Sequence, residues 1–258
     1  MLRAAAGPAL RLTTSIRKPK VTVFAHRKDL SVFPEEGLTI ACQAVLSDLD
    51  GTLIDSTQCV DYAVETWARR RNLDVAKVVD YAHGRRTADT VKQMVPHLDQ
   101  QQEITMIEDL EVSCTKGLVR LPGSHELVSS FSSHHWAIVT SGSNRLATHR
   151  LTHVQLPIPR VFVTADDVIK GKPHAEPYLL AAAKLGLEPQ ECLALEDSPN
   201  GIKAAKRAGM RTIAIAACSA DFDISEADYK IHDLSWVQLR IKPNSTLELI
   251  LRNPRPTT

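Results

Sequence analysis

Residues 42–52 read CQAVLSDLDGT, and the fold prediction starts from this segment. It is a short apolar run that ends in polar residues, which is typical of a buried β-strand. Similar runs follow along the chain, at residues 135–141, 160–165, 191–197 and 211–217. Between them lie helical patterns, at residues 143–151, 176–185 and 199–208. Strands that alternate with helices predict an α/β fold, with a Rossmann-like parallel sheet covered by helices on both faces.

Residues 57–118 interrupt this alternation. They contain no convincing strand, and their apolar residues recur at helical spacing in four segments. Because the region lies between the first and second strands, it predicts an all-helical cap subdomain inserted into an α/β core. The core is then formed by residues 41–56 and 119–240, and residues 241–258 are expected to be a C-terminal tail.

Residues 1–40 are expected to form a basic N-terminal extension outside the fold. Seven of the 31 Lys and Arg lie in residues 1–28, which contain no Asp or Glu. This composition is typical of a transit peptide, which would direct the protein to a mitochondrion or plastid. A mobile arm or a misassigned start codon is slightly favoured as the explanation of the segment, and the expected location is then cytoplasmic.

Composition excludes several classes of partner. The rest of the chain holds 24 basic and 30 acidic residues, so it lacks the basic surface of a nucleic-acid-binding protein. No apolar run approaches the roughly 20 residues that cross a bilayer. The five cysteines have neither the spacing of a zinc site nor that of a disulfide framework. The expected partner is a small molecule, with no nucleic acid and no membrane; the sequence fixes no oligomeric state, and we expect a monomer.

Two carboxylates follow the first strand. Side chains alternate along a strand, so Asp48 and Asp50 face one side and Leu49 faces the other. Carboxylates this close repel each other, which predicts a divalent cation or a shared proton between them. Alone, the pair is also compatible with two acids in a loop that caps a helix.

Polar groups follow the later strands as well. Thr140 and Ser141 precede a helix, where a hydroxyl and free N–H groups can bind a phosphate. Lys172 is held between Gly and Pro and can carry a fixed positive charge, and the pair Glu196-Asp197 can supply a metal ligand. Each feature alone is more typical of a helix cap or an exposed lysine. Their order, each after a strand, favours one site at the carboxyl edge of the sheet.

Four segments resemble the motifs of the haloacid dehalogenase-like phosphatase superfamily, in the subgroup with a helical cap after the first motif. They are DLDGTLIDST (48–57), WAIVTSGSN (136–144), GKPHAEPYL (171–179) and LALEDSPNGIKAAKRAGM (193–210). HGRRT (83–87) and residues 161–179 look similar to sugar phosphatases and to glycerol-phosphate and 2-deoxyglucose-6-phosphate phosphatases. The resemblance covers about residues 42–217.

The resemblance implies a role for each motif residue. Asp48 is the nucleophile that forms an aspartyl-phosphate, Asp50 is the general acid and then the base, and Lys172 neutralises charge. Mg²⁺ is held by Asp48, the backbone carbonyl of Asp50, and Asp197. The implied substrate-binding residues are Asp48, Leu49, Asp50, Thr140, Ser141 and Lys172 in the core, with His83 and Arg86 in the cap. The alternative for the cap loop is a solvated helix junction with its arginines in water.

The expected activity is Mg²⁺-dependent hydrolysis of small sugar or polyol phosphates. The nearest alternative is a hexose phosphomutase, which uses the same aspartyl-phosphate but protects it from water; Thr52 favours hydrolysis. A dehalogenase needs neither Asp50 nor Asp197, so the presence of both carboxylates argues against that activity. A phospho-accepting signalling domain has a different motif order and no cap, and a non-catalytic binding protein is disfavoured because every catalytic position is filled.

Overall fold

The computed structural model describes residues 30–218 and 222–253. The strands are β1 (Leu38–Cys42), β2 (Ala44–Ser47), β3 (Ile54–Asp55), β4 (Val119–Arg120), β5 (Trp136–Val139), β6 (Val161–Val163), β7 (Cys192–Glu196), β8 (Arg211–Ile215), β9 (Tyr229–Ile231), β10 (Val237–Ile241) and β11 (Leu247–Leu251). The α-helices are α1 (Thr57–Arg70), α2 (Val75–Ala82), α3 (Thr87–Met94), α4 (Gln100–Ser113), α5 (Ser124–Ser129), α6 (Asn144–His153), α7 (Glu176–Leu185) and α8 (Pro199–Arg207). Among these residues, none of the helices has the length and apolar character to pass through a membrane. The expected transit peptide or arm in residues 1–28 lies outside the described residues.

Six strands form the main sheet, in the order β6-β5-β2-β7-β8-β9. All neighbours in it are parallel. The carboxyl ends of β5, β2 and β7 therefore lie side by side at one edge, which is where open parallel sheets bind ligands. The predicted α/β fold with a Rossmann-like parallel sheet is confirmed. The short edge strand β9 was not predicted.

The sheet buries one apolar layer on each face. Val45 packs in the layer that includes Leu127 and Leu151, from α5 and α6. The next residue, Leu46, packs in the other layer with Tyr178 and Ala204, from α7 and α8. Because consecutive strand residues point to opposite faces, a continuous apolar run fits a strand that is covered on both sides.

Helices α1–α4 form the cap. Their facing sides bury an apolar cluster of their own, which includes Trp67, Val91 and Ile107. The chain leaves the core through β3 and returns through β4, and these two short strands pair antiparallel, with Ile54 opposite Arg120. The cap is therefore joined to the core by a two-stranded ribbon that begins six residues after Asp48.

The predicted boundaries of the core, at residues 41 and 240, are both wrong. Residues 30–40 were assigned to the extension, but Phe33 is buried and packs edge-on against Trp236 at 6.5 Å. Residues 241–258 were assigned to a tail, but β11 pairs with both β1 and β10 in a three-stranded antiparallel sheet. β11 is the central strand of this sheet, and one of its two partners, β1, is far away in the sequence.

Candidate active site

Three neighbouring strands deliver the polar residues of the site. Asp48 follows β2, Thr140 follows β5, and Glu196 and Asp197 lie at the end of β7. Lys172 reaches the same place from the loop between β6 and α7, and all five side chains are buried. The strand order explains this convergence, because β2 lies between β5 and β7.

Lys172 forms two buried ion pairs. Its Nζ lies 2.6 Å from Asp48 Oδ1 and 2.5 Å from Glu196 Oε1. Tyr178 donates its hydroxyl to the same Glu196 oxygen at 2.7 Å. Burial alone would lower the pKa of Lys172, but the two carboxylates raise it above its ordinary value. Lys172 therefore remains a cation beside Asp48.

The carboxylates outnumber this single cation. Asp48, Glu196 and Asp197 offer oxygens within 4.8 Å of one another. The pKa of Asp48 is raised to about 7, because burial, and to a smaller extent Glu196 and Asp50, outweigh the opposing effect of Lys172. Burial, Asp48 and Glu196 also raise the pKa of Asp197 well above its usual range. A bound cation would relieve this repulsion, so the donor set fits a metal ion.

The turn after β2 depends on Gly51. Its φ of +83° lies in the left-handed region. A Cβ at this position would lie 2.0 Å from Asp197 Oδ2. Only glycine therefore lets the chain turn directly after Asp50 while Asp197 stays beside this turn.

Asp50 is held through both carboxylate oxygens. Ser56 donates its hydroxyl to Asp50 Oδ1 at 2.7 Å. Arg150, on α6, places Nη1 2.8 Å from Asp50 Oδ2. The side chain of Asp50 is 24% exposed, so it remains reachable from the cavity while its orientation is fixed by these two partners.

A cavity of about 120 Å³ separates the core from the cap. Asp48, Asp50, Thr140, Ser141, Lys172 and Asp197 line it from the core, with His83, Gly84, Arg85, Thr87 and Glu111 from the cap. Ser141 Oγ donates to the Gly84 carbonyl at 3.3 Å, and the His83 ring lies 5.5 Å from that of Phe222. The cap loop therefore lies directly over the strand ends.

Two predicted substrate-binding side chains do not reach this cavity. The side chain of Leu49 is fully buried in the apolar layer below the sheet, so only its backbone can face a ligand. Arg86 points away from the cavity: its guanidinium pairs with Asp89 at 2.8 Å and donates to the carbonyls of Val168 and Ile169 at 3.3 and 3.1 Å. Arg86 ties the cap to the core, and its neighbour Arg85 lines the cavity instead.

Sequence reasoning missed several residues of the site. Ser56 stands where an N-cap of α1 is expected, but its hydroxyl bonds Asp50 rather than the helix. Tyr178 lies within the third motif, although nothing in the sequence indicates its contact with Glu196. Arg150 and Glu111 carry no motif signal, since each is one polar residue on a helix and their pairing is a long-range contact.

Comparisons with known proteins find a matching family model and similar proteins. The family model described as haloacid dehalogenase-like hydrolase matches residues 45–215. Hexitol phosphatase A of Escherichia coli (strain K12) is 38% identical over 208 residues, which cover 79% of this chain and 96% of that protein. Glycerol-1-phosphate phosphohydrolase 2 of Saccharomyces cerevisiae is 30% identical over 191 residues, which cover 69% of this chain and 76% of that protein.

The fold is also similar to a solved structure. The crystal structure of CbbY from Rhodobacter sphaeroides in complex with phosphate has a TM-score of 0.66 and 22% identity, and covers 75% of this chain and 95% of that one. At this identity the likeness concerns the fold alone. The family model and the two relatives show more: this chain belongs to the haloacid dehalogenase-like hydrolase family, as the resemblance of its four motifs implied.

Proposed function

We propose that this chain is a Mg²⁺-dependent phosphatase that hydrolyses small sugar or polyol phosphates through an aspartyl-phosphate on Asp48. The observation that carries the proposal is the buried contact of 2.6 Å between Lys172 Nζ and Asp48 Oδ1, at the base of the cavity that Asp50 and Thr140 also line. Lys172 favours the ionised form of Asp48, which is the nucleophilic form, and holds its carboxylate in place.

In the first step, a carboxylate oxygen of Asp48 attacks phosphorus and the ester P–O bond breaks. Lys172 and the hydroxyl of Thr140 bind phosphoryl oxygens, where negative charge is concentrated. Protonated Asp50 gives its proton to the leaving alkoxide, so the sugar or polyol departs as an alcohol.

In the second step, the Asp50 carboxylate takes a proton from water as the water oxygen attacks phosphorus. The bond between Asp48 and the phosphoryl group breaks and inorganic phosphate forms. Asp48 is again a carboxylate and Asp50 is again protonated, so atoms and charges balance over the cycle. The cap covers the site during both steps and limits the access of bulk water.

The acidic cluster would hold Mg²⁺ through the carboxylates of Asp48 and Asp197 and the backbone carbonyl of Asp50. Few carboxylates completed by waters and a phosphate oxygen are the ligands that suit Mg²⁺. When bound there, the ion supplies positive charge that offsets the repulsion between the carboxylates and the substrate phosphate.

The cavity lining supports a small polyhydroxylated substrate. Besides Thr140 and Ser141 of the core, the lining includes the hydroxyl residues Ser56, Thr57, Thr87 and Thr90 from the cap or its junction with the core. Hydroxyl groups both donate and accept hydrogen bonds, as the alcohols of a sugar or polyol do. The two relatives support the same class, because one is named for hexitol and the other for glycerol 1-phosphate.

Phosphate release from a panel of hexitol, hexose, pentose and glycerol phosphates tests the proposal, with isomerisation of glucose 1-phosphate followed in parallel. We expect release from the polyol and sugar esters, inhibition by EDTA and recovery with Mg²⁺. Asp48→Asn should lower kcat by about 10⁴-fold or more. The matched control is Asp80→Asn, at an exposed position of α2, which should act like the wild type.

Three results would contradict parts of the proposal. Isomerisation of glucose 1-phosphate without phosphate release would identify a mutase. Near-normal release by Asp48→Asn would exclude Asp48 as the nucleophile. Full activity in EDTA would exclude the metal.

A further inference from the structure

A buried ion network links Asp50 to the cap. Arg150, on α6 of the core, places Nη1 2.8 Å from Asp50 Oδ2, and its Nη2 pairs closely with Glu111 Oε2 on α4 of the cap. The side chains of Arg150 and Glu111 are only 4% and 6% exposed. One guanidinium therefore holds a core carboxylate and a cap carboxylate at the same time.

The planar guanidinium makes this bridge directional. An arginine presents its N–H groups in a rigid fork, so the position of one carboxylate constrains the position of the other. Ser56, just before the first cap helix, holds the remaining oxygen of Asp50 at 2.7 Å. Asp50 is thus fixed from two directions, and each direction includes the cap or its junction with the core.

The charges in this network depend on one another. A buried arginine that loses a carboxylate partner is left as an uncompensated charge, which is strongly destabilising. Glu111 therefore allows Arg150 to remain buried beside Asp50. Since Glu111 belongs to the cap, the arrangement is complete only when the cap lies on the core.

We infer that Arg150 is a positioning residue for Asp50, and that Glu111 orients Arg150 so that docking of the cap sets the position of the general acid. The inference rests on the proposed phosphatase function, because it assigns proton transfer to Asp50. Arg150 acts through Asp50 and is not itself the proton donor.

Substrates with different leaving groups distinguish an Arg150 that positions Asp50 from an Arg150 that only stabilises the fold. An alkoxide from glycerol or a hexitol is a strong base and needs the proton of Asp50 as the ester bond breaks. p-Nitrophenolate is a weak base and departs without a proton. A misplaced Asp50 therefore slows aspartyl-phosphate formation from the alkyl ester far more than from the aryl ester.

The experiment follows the first chemical step through release of its leaving group, in the Mg²⁺-loaded enzyme. A quench-flow single turnover follows glycerol release from glycerol 1-phosphate, and the pre-steady-state burst follows p-nitrophenol release from p-nitrophenyl phosphate. The variants are Arg150→Met, Arg150→Lys and Glu111→Gln. Arg145→Met is the matched control, because Arg145 joins the same two helices through an exposed pair with Asp109 at 2.6 Å.

We expect Arg150→Met to slow glycerol release by about 100-fold, the cost of misplacing a reacting group by about 1 Å. The rate of the p-nitrophenol burst should change by less than about 5-fold, because this leaving group needs no proton from Asp50. KM should change by less than about 3-fold. Arg150→Lys should release glycerol faster than Arg150→Met but more slowly than the wild type. Glu111→Gln should slow glycerol release less than Arg150→Met does, and should again affect p-nitrophenol release much less. Arg145→Met should release both products at the wild-type rates.

A double variant keeps the inference falsifiable if Arg150→Met lowers Tm. Arg150→Met with Glu111→Leu removes both buried charges, so its Tm should recover while glycerol release stays slow. Recovery of both Tm and glycerol release would overturn the inference, as would an equal loss on the two esters or no loss in Arg150→Met. A wild-type protein that hydrolyses neither ester would contradict the proposed function itself, and the inference would fall with it.

Discussion

The cap and the core each bury a glutamate that accepts hydrogen bonds from one cation and one aromatic side chain. In the cap, Glu103 accepts two from Arg71, at 2.6 and 2.7 Å, and one from the Trp67 indole at 2.7 Å. In the core, Glu196 accepts one from Lys172 at 2.5 Å and one from a tyrosine hydroxyl at 2.7 Å. The two glutamates share this pair of donor types, although Glu196 also accepts hydrogen bonds from the Asp197 N–H and the Ser198 hydroxyl, both at 3.3 Å.

Their surroundings differ. The Lys172 side chain is only 2% exposed and binds a second carboxylate, Asp48, whereas that of Arg71 is 28% exposed. Glu196 also lies in a cluster with Asp48 and Asp197, so its region carries excess negative charge at the edge of a cavity. The same pairing therefore stabilises the cap as a unit, while in the core it leaves a site ready for a cation and a phosphoryl group.

The largest effect should come from removing each cation in turn. Lys172→Met removes the charge that offsets Asp48 and the incoming phosphate, and we expect kcat for hexitol or glycerol phosphate to fall by about 10³-fold. Arg71→Met removes the equivalent cation of the cap, and should lower Tm while kcat stays within about 3-fold of the wild type, since Arg71 contacts no part of the cavity. Steady-state kinetics and thermal melts measure both.

If Arg71→Met lowers kcat as strongly as Lys172→Met does, while the protein is still folded at the assay temperature, then Arg71 and Lys172 do not differ in role as expected. Arg69→Met provides the control for losing an arginine from α1, because Arg69 forms an exposed ion pair with Glu65. Its Tm and kcat should match those of the wild type.

The convergence of the polar residues in the core was largely predictable from the sequence. Asp48, Thr140, Lys172 and Asp197 each follow a strand-like run, and parallel strands bring their carboxyl ends to one edge whatever their separation in the chain. Lys172 and Asp48 meet although 124 residues separate them. The bounds of the fold were less predictable, because β11 needs β1 as its partner and no local pattern indicates that pairing.

For the cap, the sequence predicts the helices but not which polar side chains meet between them. Helical spacing of apolar residues identifies which side of a helix is buried, but the angle between helices decides which polar residue meets which. Arg85 and Arg86 are neighbours in one loop, yet one lines the cavity and the other binds carbonyls of the core. Arg150 and Glu111 meet across the boundary between cap and core, which no single segment encodes.

The two neighbouring arginines give the second prediction. Arg86→Met removes the hydrogen bonds that tie the cap to the loop before Lys172, so we expect kcat/KM to fall by about 10-fold for every ester alike. Arg85→Met changes the cavity wall and should alter the ranking of hexitol, hexose and glycerol phosphates. Values of kcat/KM over the substrate panel, with p-nitrophenyl phosphate as a small common ester, measure both effects.

An altered ranking in Arg86→Met with an unchanged ranking in Arg85→Met would reverse these assignments. Lys92→Met serves as the control, since Lys92 is an exposed cation on α3, the helix that follows Arg86. It should leave both the ranking and the absolute values as they are in the wild type.

The smallest effect concerns the stability of the cap with pH. The hydrogen bonds from Arg71, and then that from Trp67, hold the pKa of Glu103 below its usual range. A carboxyl whose pKa is lower in the folded than in the unfolded protein stabilises the fold above its unfolded pKa, about 4.3, and loses that contribution as the pH falls through the folded value. Glu103→Gln should therefore lower the free energy of unfolding at pH 7 by about 2 kcal/mol.

The difference between wild type and Glu103→Gln should narrow as the pH is lowered below about 4, because the wild-type carboxyl then also becomes neutral. Thermal melts followed by tryptophan fluorescence from pH 7 to pH 3 measure it, and Glu65→Gln, at an exposed pair of the same cap, supplies the reference. A difference that stays constant over this range would mean that Glu103 contributes by shape alone. A difference that narrows, with kcat at pH 7 unchanged, would show that the buried glutamate of the cap stabilises without taking part in the reaction.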